Sequence, residues 1–183
     1  MKRVFLLLSF LSFGLIYAQD DNINKLLVNE YPEAKNYAVY GSVLRSIFNS
    51  EDNPESLQAI KNIEKIRYSK IKGLESPLAE LNRIADLLEE QGLEEYIRVS
   101  SGSTALLPDI AAQITDGAGE IALHMEENEG KVIHCVMIAK YDDYLSVFDV
   151  VGSFEVGKLN QLDPSKMNGL IEALDFTDFV NFD

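Results

Sequence analysis

His124 and His134 are the only imidazole groups in the chain, and they lie in two consecutive apolar stretches. The stretches are joined by residues 128–130, which can form a three-residue loop ending in glycine. In that case Glu127 pairs with Lys131, and the same register sets His124 directly opposite His134 on the neighbouring strand. A three-residue loop therefore predicts that the two rings meet.

Opposed imidazole rings can share a metal ion, or repel each other when both are protonated. A zinc site needs a third ligand, and Glu126 or Glu120 on the same face is available. The hypothesis is a metal site formed by His124, His134 and Glu126, in a chain for which we otherwise expect no cofactor. The alternative is a four-residue loop, which places the rings on opposite faces, one exposed and one buried.

The sequence lacks the signature of a nucleophilic enzyme. Such catalysis needs a Ser, Thr or Cys beside an oriented base, and neither histidine lies in such a pattern. The run 100–104, rich in Ser and Gly, is typical of a turn. The single cysteine, Cys135, has apolar neighbours and is expected to be a buried small hydrophobe. We therefore predict no catalytic residue and a non-catalytic protein.

Acidic residues are abundant, but their spacing does not match an EF-hand calcium loop. Most are expected to lie in solvated turns. Asp149 differs because it falls within an apolar strand. Two interpretations stay open for it: a buried carboxylate with a basic or backbone partner, or a marker of an exposed face.

Three consecutive strands between Gly119 and Gly152 must position these residues. The first alternates apolar and polar side chains, whereas the second and third are apolar on both faces, as expected of central strands. The connections are residues 128–130 and the turn at 142–143. The pattern predicts an antiparallel meander, which needs a helical layer to bury its apolar surface.

The clearest helix begins after Ser76, with Pro77 at its first position, and stops at Gly92. Its predicted buried stripe consists of Leu78, Leu81, Ile84, Ala85 and Leu88. Other predicted strands cover 36–41, 64–72 and 95–100, and other predicted helices cover 20–29, 42–48, a segment from Pro54, 155–162 and 166–174. The fold class expected is α+β, a mainly antiparallel sheet with a C-terminal three-strand meander and helices largely packed on one face.

Residues 1–18 join two basic residues to an apolar run and end in Tyr17-Ala18, the pattern of a secretory signal peptide. We therefore predict export to the periplasm or the cell exterior, and a single domain over residues 19–183. The net charge of −14 opposes binding to nucleic acid or to an anionic membrane surface. It suits a cationic or protein partner, so we expect a protein partner in the cell envelope.

The order of these elements and the segment KVIHCVMIAKYDDYLSVFDVVGSFEVGKLNQL, with Gly152 closing the last strand, resemble an exported bacterial family, domain of unknown function 4252 (DUF4252). The resemblance implies an α+β domain of the cell envelope with no assigned activity and no catalytic residues to carry over. The leading hypothesis is thus an exported envelope protein that binds another protein. The alternative is a small-ligand or metal-binding domain that uses the sheet face of His124 and His134.

Overall fold

The structure, a computed structural model, describes residues 21–48, 58, 60–100 and 117–155. Its helices are α1 (Asp21–Glu30), α2 (Gly41–Phe48) and α3 (Pro77–Glu90), and its strands are β1 (Lys35–Tyr40), β2 (Ile63–Lys72), β3 (Glu94–Ser100), β4 (Glu120–Asn128), β5 (Lys131–Lys140) and β6 (Tyr144–Phe154). The predicted signal peptide and the predicted helices beyond Glu155 lie outside the described residues, and so does the predicted helix from Pro54 apart from residues 58 and 60.

The chain divides into two compact units, Met1–Ala34 and Lys35–Asp183. In the first unit, α1 is amphipathic as predicted: Ile23 and Leu27, one turn apart, are buried, while Val28 is exposed. The second unit holds all the other described helices and strands. A single domain over residues 19–183 stays a prediction.

The second unit is built on a six-stranded sheet in the order β1-β2-β6-β5-β4-β3, and every neighbouring pair is antiparallel. This confirms the predicted α+β class with a mainly antiparallel sheet. Strands β4, β5 and β6 follow one another in sequence and lie side by side, as a meander requires. Their second turn is also as predicted, since Tyr141 N donates to Tyr144 O across Asp142-Asp143 at 2.9 Å.

Helix α3 lies against strands β3 to β6. Its buried side chains are Leu81, Ile84, Ala85 and Leu88, four of the five predicted. The fifth, Leu78, is 42% exposed because it lies in the first turn, at the margin of the stripe. Ser76 occupies the N-cap position as expected, although its side chain makes no capping hydrogen bond.

Successive residues of β4, β5 and β6 point to opposite faces, and both faces are buried. One face carries an apolar cluster that includes Ile121, Leu123, Met125, Cys135, Met137 and Phe148. The other face, which we call the His124 face, carries His124, Val136 and Asp149, which are also buried. Burial on both faces matches the apolar pattern of β5 and β6.

The register between β4 and β5 differs from the one predicted. Asn128 pairs with Lys131, so the turn has two residues rather than three, and both of them, Glu129 (φ 52°) and Gly130 (φ 75°), have positive φ. Such a turn matches the twist of the flanking strands. A bulge between Glu126 and Glu127 shifts the register again.

The predicted direct pairing of the two histidines is therefore wrong. His124 lies opposite Val136, and His134 lies opposite Glu126. The turn and the bulge each displace the register by one residue. Two one-residue shifts restore the original side-chain parity, so both rings stay on the His124 face but sit diagonally to each other.

Candidate metal-binding and cation-binding sites

A single row of side chains crosses five strands on the His124 face. Strand pairing sets five residues in line, each opposite the next. In order across the sheet they are Arg67 of β2, Asp149 of β6, Val136 of β5, His124 of β4 and Glu95 of β3. Because paired residues share a face, all five side chains point the same way. The row thus brings together charged groups that are far apart in sequence.

Asp149 is the centre of a buried ionic network at one end of this row. Arg67 Nε lies 2.8 Å from Asp149 Oδ2, and His134 Nε2 donates to Asp149 Oδ1 at 2.8 Å. The side chains of Arg67 and Asp149 are each only 4% exposed, and His134 is 12% exposed. Of the two interpretations left open for Asp149, the structure selects the buried carboxylate with a basic partner.

His124 is fully buried, and neither of its ring nitrogens has a hydrogen-bond partner. Leaving a buried polar atom unsatisfied costs about 1–3 kcal/mol, so such groups are uncommon and usually have a reason. Two carboxylate oxygens lie close to Nε2, Glu95 Oε2 at 3.9 Å and Glu89 Oε1 at 4.0 Å. Both distances exceed hydrogen-bond range.

Burial lowers the pKa of His124 below its ordinary value, because an apolar setting disfavours the charged ring. Glu95 and Glu89 act in the opposite direction, and the positive charge of Arg98 adds to the lowering. The folded protein therefore favours a neutral imidazole. A neutral ring is the form that binds metal ions.

Glu89 and Glu95 are held on either side of the connection from α3 to β3. Glu89 lies in the last turn of α3, where Gly92 (φ 92°) ends the helix and its N–H donates to Glu89 O at 3.0 Å. Leu93 is buried directly after it, which anchors the start of β3. Glu95 is then opposite His124 by strand register.

The three donor atoms of Glu89, Glu95 and His124 all lie within 4.8 Å of one another. Sequence reasoning singled out His124 but missed both glutamates. The only sequence feature that marks these glutamates is the acidic run on both sides of Gly92. That run by itself does not indicate that they lie close to His124. Whether His134 and Glu126 join His124 in binding a metal stays a prediction, although the structure engages His134 with Asp149.

An open acidic cleft lies beside the metal-ligand candidates, between β3 and β4. Four of its side chains are carboxylates, Glu94, Glu95, Glu126 and Glu127. Tyr96, Met125 and Gly92 complete the described lining, in which no residue is basic. Tyr96 is 59% exposed. Carboxylates around an aromatic ring are the groups that receive lysine and arginine side chains.

Cys135 lies on the apolar face and is buried, as predicted. Burial, and secondarily the charge of Asp149, raise the pKa of its thiol to about 12, from an ordinary value of 9.0. The folded protein therefore favours the protonated thiol. The raised pKa means that the protonated thiol adds to the stability of the folded protein. This stabilisation is complete below about pH 9 and is lost as the pH rises from there toward 12.

We expect the Cys135 thiol to be inert toward a thiol-specific reagent at pH 8 in the native protein, because only the thiolate reacts and the sulfur is buried. The reaction should proceed rapidly in denaturing urea. The check is a stopped-flow comparison of native and unfolded protein with a chromogenic disulfide. Equal rates in both conditions would contradict the assigned environment.

Comparison with protein-family models, curated proteins and solved structures finds no match to the chain. Within the described residues, no helix combines the length and apolar character needed to cross a membrane. The resemblance to DUF4252 stays a prediction.

Proposed function

We propose that this protein is an exported, non-catalytic binding protein of the cell envelope, and that its acidic cleft receives a basic segment of a partner protein. The observation that carries the proposal is the cleft itself. It places four carboxylates and an exposed tyrosine side by side, with no basic residue in its described lining. Arg98, outside that lining, is paired with one of the four, Glu95.

The charges of the cleft select the partner. Lysine and arginine carry several N–H donors and no acceptor, so they match a carboxylate-lined surface. Tyr96 adds a face over which a cation can lie, a contact worth about 0.5–1 kcal/mol at an exposed site. The net charge of −14 attracts a basic partner over a longer range and raises the association rate at low salt.

Other features are consistent with this function without testing it. The N-terminal pattern of residues 1–18 supports export to the periplasm or cell exterior. The resemblance to DUF4252 supports an envelope location, and the sequence pattern supports helices that pack largely on one sheet face. The net charge of −14 disfavours nucleic acid and anionic membranes as partners.

The proposal predicts that a labelled lysine- and arginine-rich peptide binds the protein and that E94Q/E126Q/E127Q weakens this binding by about tenfold or more. Three lost ionic contacts of about 0.5–1 kcal/mol each correspond to this change. The measurement is fluorescence polarisation at two salt concentrations, with a peptide of equal length in which glutamate replaces the basic residues.

The matched control is E33Q/E64Q/E75Q, which removes the same charge from exposed positions outside the cleft lining. It should change the affinity by no more than about twofold, as expected when only long-range attraction is reduced. Equal weakening by both triple variants would show that net charge alone attracts the peptide, and the cleft would lose its assigned role.

A further inference from the structure

We propose that Glu89, Glu95 and His124 form a binding site for a first-row divalent transition metal ion, with zinc as the representative ion. The proposal rests on a fully buried imidazole whose Nε2 faces two carboxylate oxygens at 3.9 and 4.0 Å without a hydrogen bond. It does not rest on the acidic cleft: the two sites share Glu95, but neither Glu89 nor His124 belongs to the cleft lining.

The spacing of the donors suits an ion rather than direct contact. In a tetrahedral zinc site with metal–ligand bonds of about 2.1 Å, neighbouring donor atoms are about 3.4 Å apart. The present distances from His124 Nε2 to the carboxylates exceed this by only about 0.5 Å. Glu89 and Glu95 are 57% and 30% exposed, so their side chains have room to close on an ion.

The backbone around the site limits how far the donors can separate. His124 lies in the interior of a buried strand, and Glu95 is its cross-strand partner. Glu89 is tied to the same place by the helix end, where Leu93 N donates to Leu88 O at 3.0 Å. Only the two carboxylate side chains need to move. A site of this kind is largely preformed by the fold.

The donor chemistry favours a transition metal over calcium or magnesium. Imidazole nitrogen is a common ligand of zinc, iron and nickel, whereas calcium and magnesium prefer an all-oxygen shell. Three protein ligands leave a further position for water on the exposed side.

The Arg98 guanidinium lies close to the site and opposes a cation. Arg98 Nη2 lies 2.7 Å from Glu95 Oε2, and its Nε donates to the same oxygen at 2.8 Å. Arg98 also reaches Asn82 Oδ1 and Glu120, so its charge is shared with other acceptors. The oxygen that Arg98 holds, Oε2, is also the one that lies 3.9 Å from His124 Nε2. Glu95 can therefore bind a metal either by sharing this oxygen with Arg98 or by turning its 30% exposed carboxylate to present Oε1, with Arg98 orienting the ligand.

The test is zinc binding by the purified protein, measured by competition with a chromophoric chelator. We expect one zinc ion per chain, and a loss of affinity of about tenfold or more in Glu89→Gln and in Glu95→Gln. The matched control is Glu90→Gln, an exposed neighbour on the same helix turn, which should stay within about twofold of the parent protein. Cobalt should give an absorption band in the parent protein that both ligand variants lose.

His124 requires a separate measurement, because replacing a buried ring can prevent folding. We expect zinc to shift the ring signals of His124 in the nuclear magnetic resonance spectrum of the parent protein while those of His134 stay in place. The proposal is overturned if zinc does not bind, or if Glu89→Gln and Glu95→Gln bind it normally. Loss of binding in His134→Gln or Glu126→Gln alone would also overturn it and assign the ion to the other set of ligands.

Discussion

Asp149→Ala is expected to lower the free energy of unfolding by about 3–5 kcal/mol, the range seen when one partner of a buried ion pair is removed. The substitution leaves the Arg67 guanidinium, which is 4% exposed, without the carboxylate 2.8 Å away. It also removes the acceptor of the His134 hydrogen bond. Urea denaturation followed by circular dichroism measures the change in stability.

The control for this prediction is the double variant Arg67→Met/Asp149→Ala. Replacing both charges with apolar groups removes the desolvation penalty together with the attraction, so the double variant should recover most of the loss. A double variant as unstable as the sum of the two single ones would mean that the two groups do not interact energetically. A loss below about 1 kcal/mol in Asp149→Ala would show that water or other protein groups stabilise the guanidinium in place of Asp149.

The buried network of Arg67, Asp149 and His134 also helps to fix the register of the sheet. Arg67 and Asp149 pair directly across β2 and β6, and His134 approaches the same carboxylate from β5. A shift of one residue in either strand would carry these groups to the apolar face. The buried charges therefore oppose the wrong pairings, whatever their net contribution to stability.

Gly152→Ala is the second substitution with a large expected effect, a loss of about 3 kcal/mol or more. The φ of Gly152 is 142°, which side chains with a Cβ rarely adopt, and strain of this kind costs about 1–3 kcal/mol. An added Cβ would also overlap Asn62 O and lie 2.7 Å from Ile63 Cα. These are backbone atoms of the neighbouring chain segment, so a side-chain rotation cannot relieve the overlap. Thermal and urea unfolding measure the loss.

Gly73→Ala provides the matched control for Gly152→Ala. Gly73 also has a positive φ, 72°, but an added Cβ would meet no atom within 4 Å. It should therefore show the conformational cost alone, about 1 kcal/mol. Equal losses in the two variants would show that the close approach at Gly152 carries no penalty.

Much of the strand and helix layout follows from the sequence because it depends on local patterns. The alternation in β4 and the doubly apolar β5 and β6 predicted the meander, and the spacing of Leu81, Ile84 and Leu88 predicted the buried stripe of α3. Each pattern reflects a residue period set by backbone geometry. These features needed no knowledge of distant contacts.

The candidate site was predicted only in part because its geometry depends on register. The choice of His124 came from the residue type, and the direct pairing with His134 was wrong because a two-residue turn and a bulge each shifted the strands by one. Neither shift has a decisive sequence signal, since Asn-Glu-Gly fits both a two-residue and a three-residue turn. Glu95 came to His124 through the pairing of β3 with β4, and Glu89 through the packing of α3 on the sheet.

The sequence by itself determined the residue types available for chemistry, the strong negative charge and the order of strands and helices. These properties depend on composition and on neighbours a few residues apart. Tertiary structure alone decided that Asp149 meets Arg67 and His134, and that His124 faces two glutamates without a hydrogen bond. Such contacts are set by strand order, register and burial, which arise only when distant segments compete for the same apolar surface.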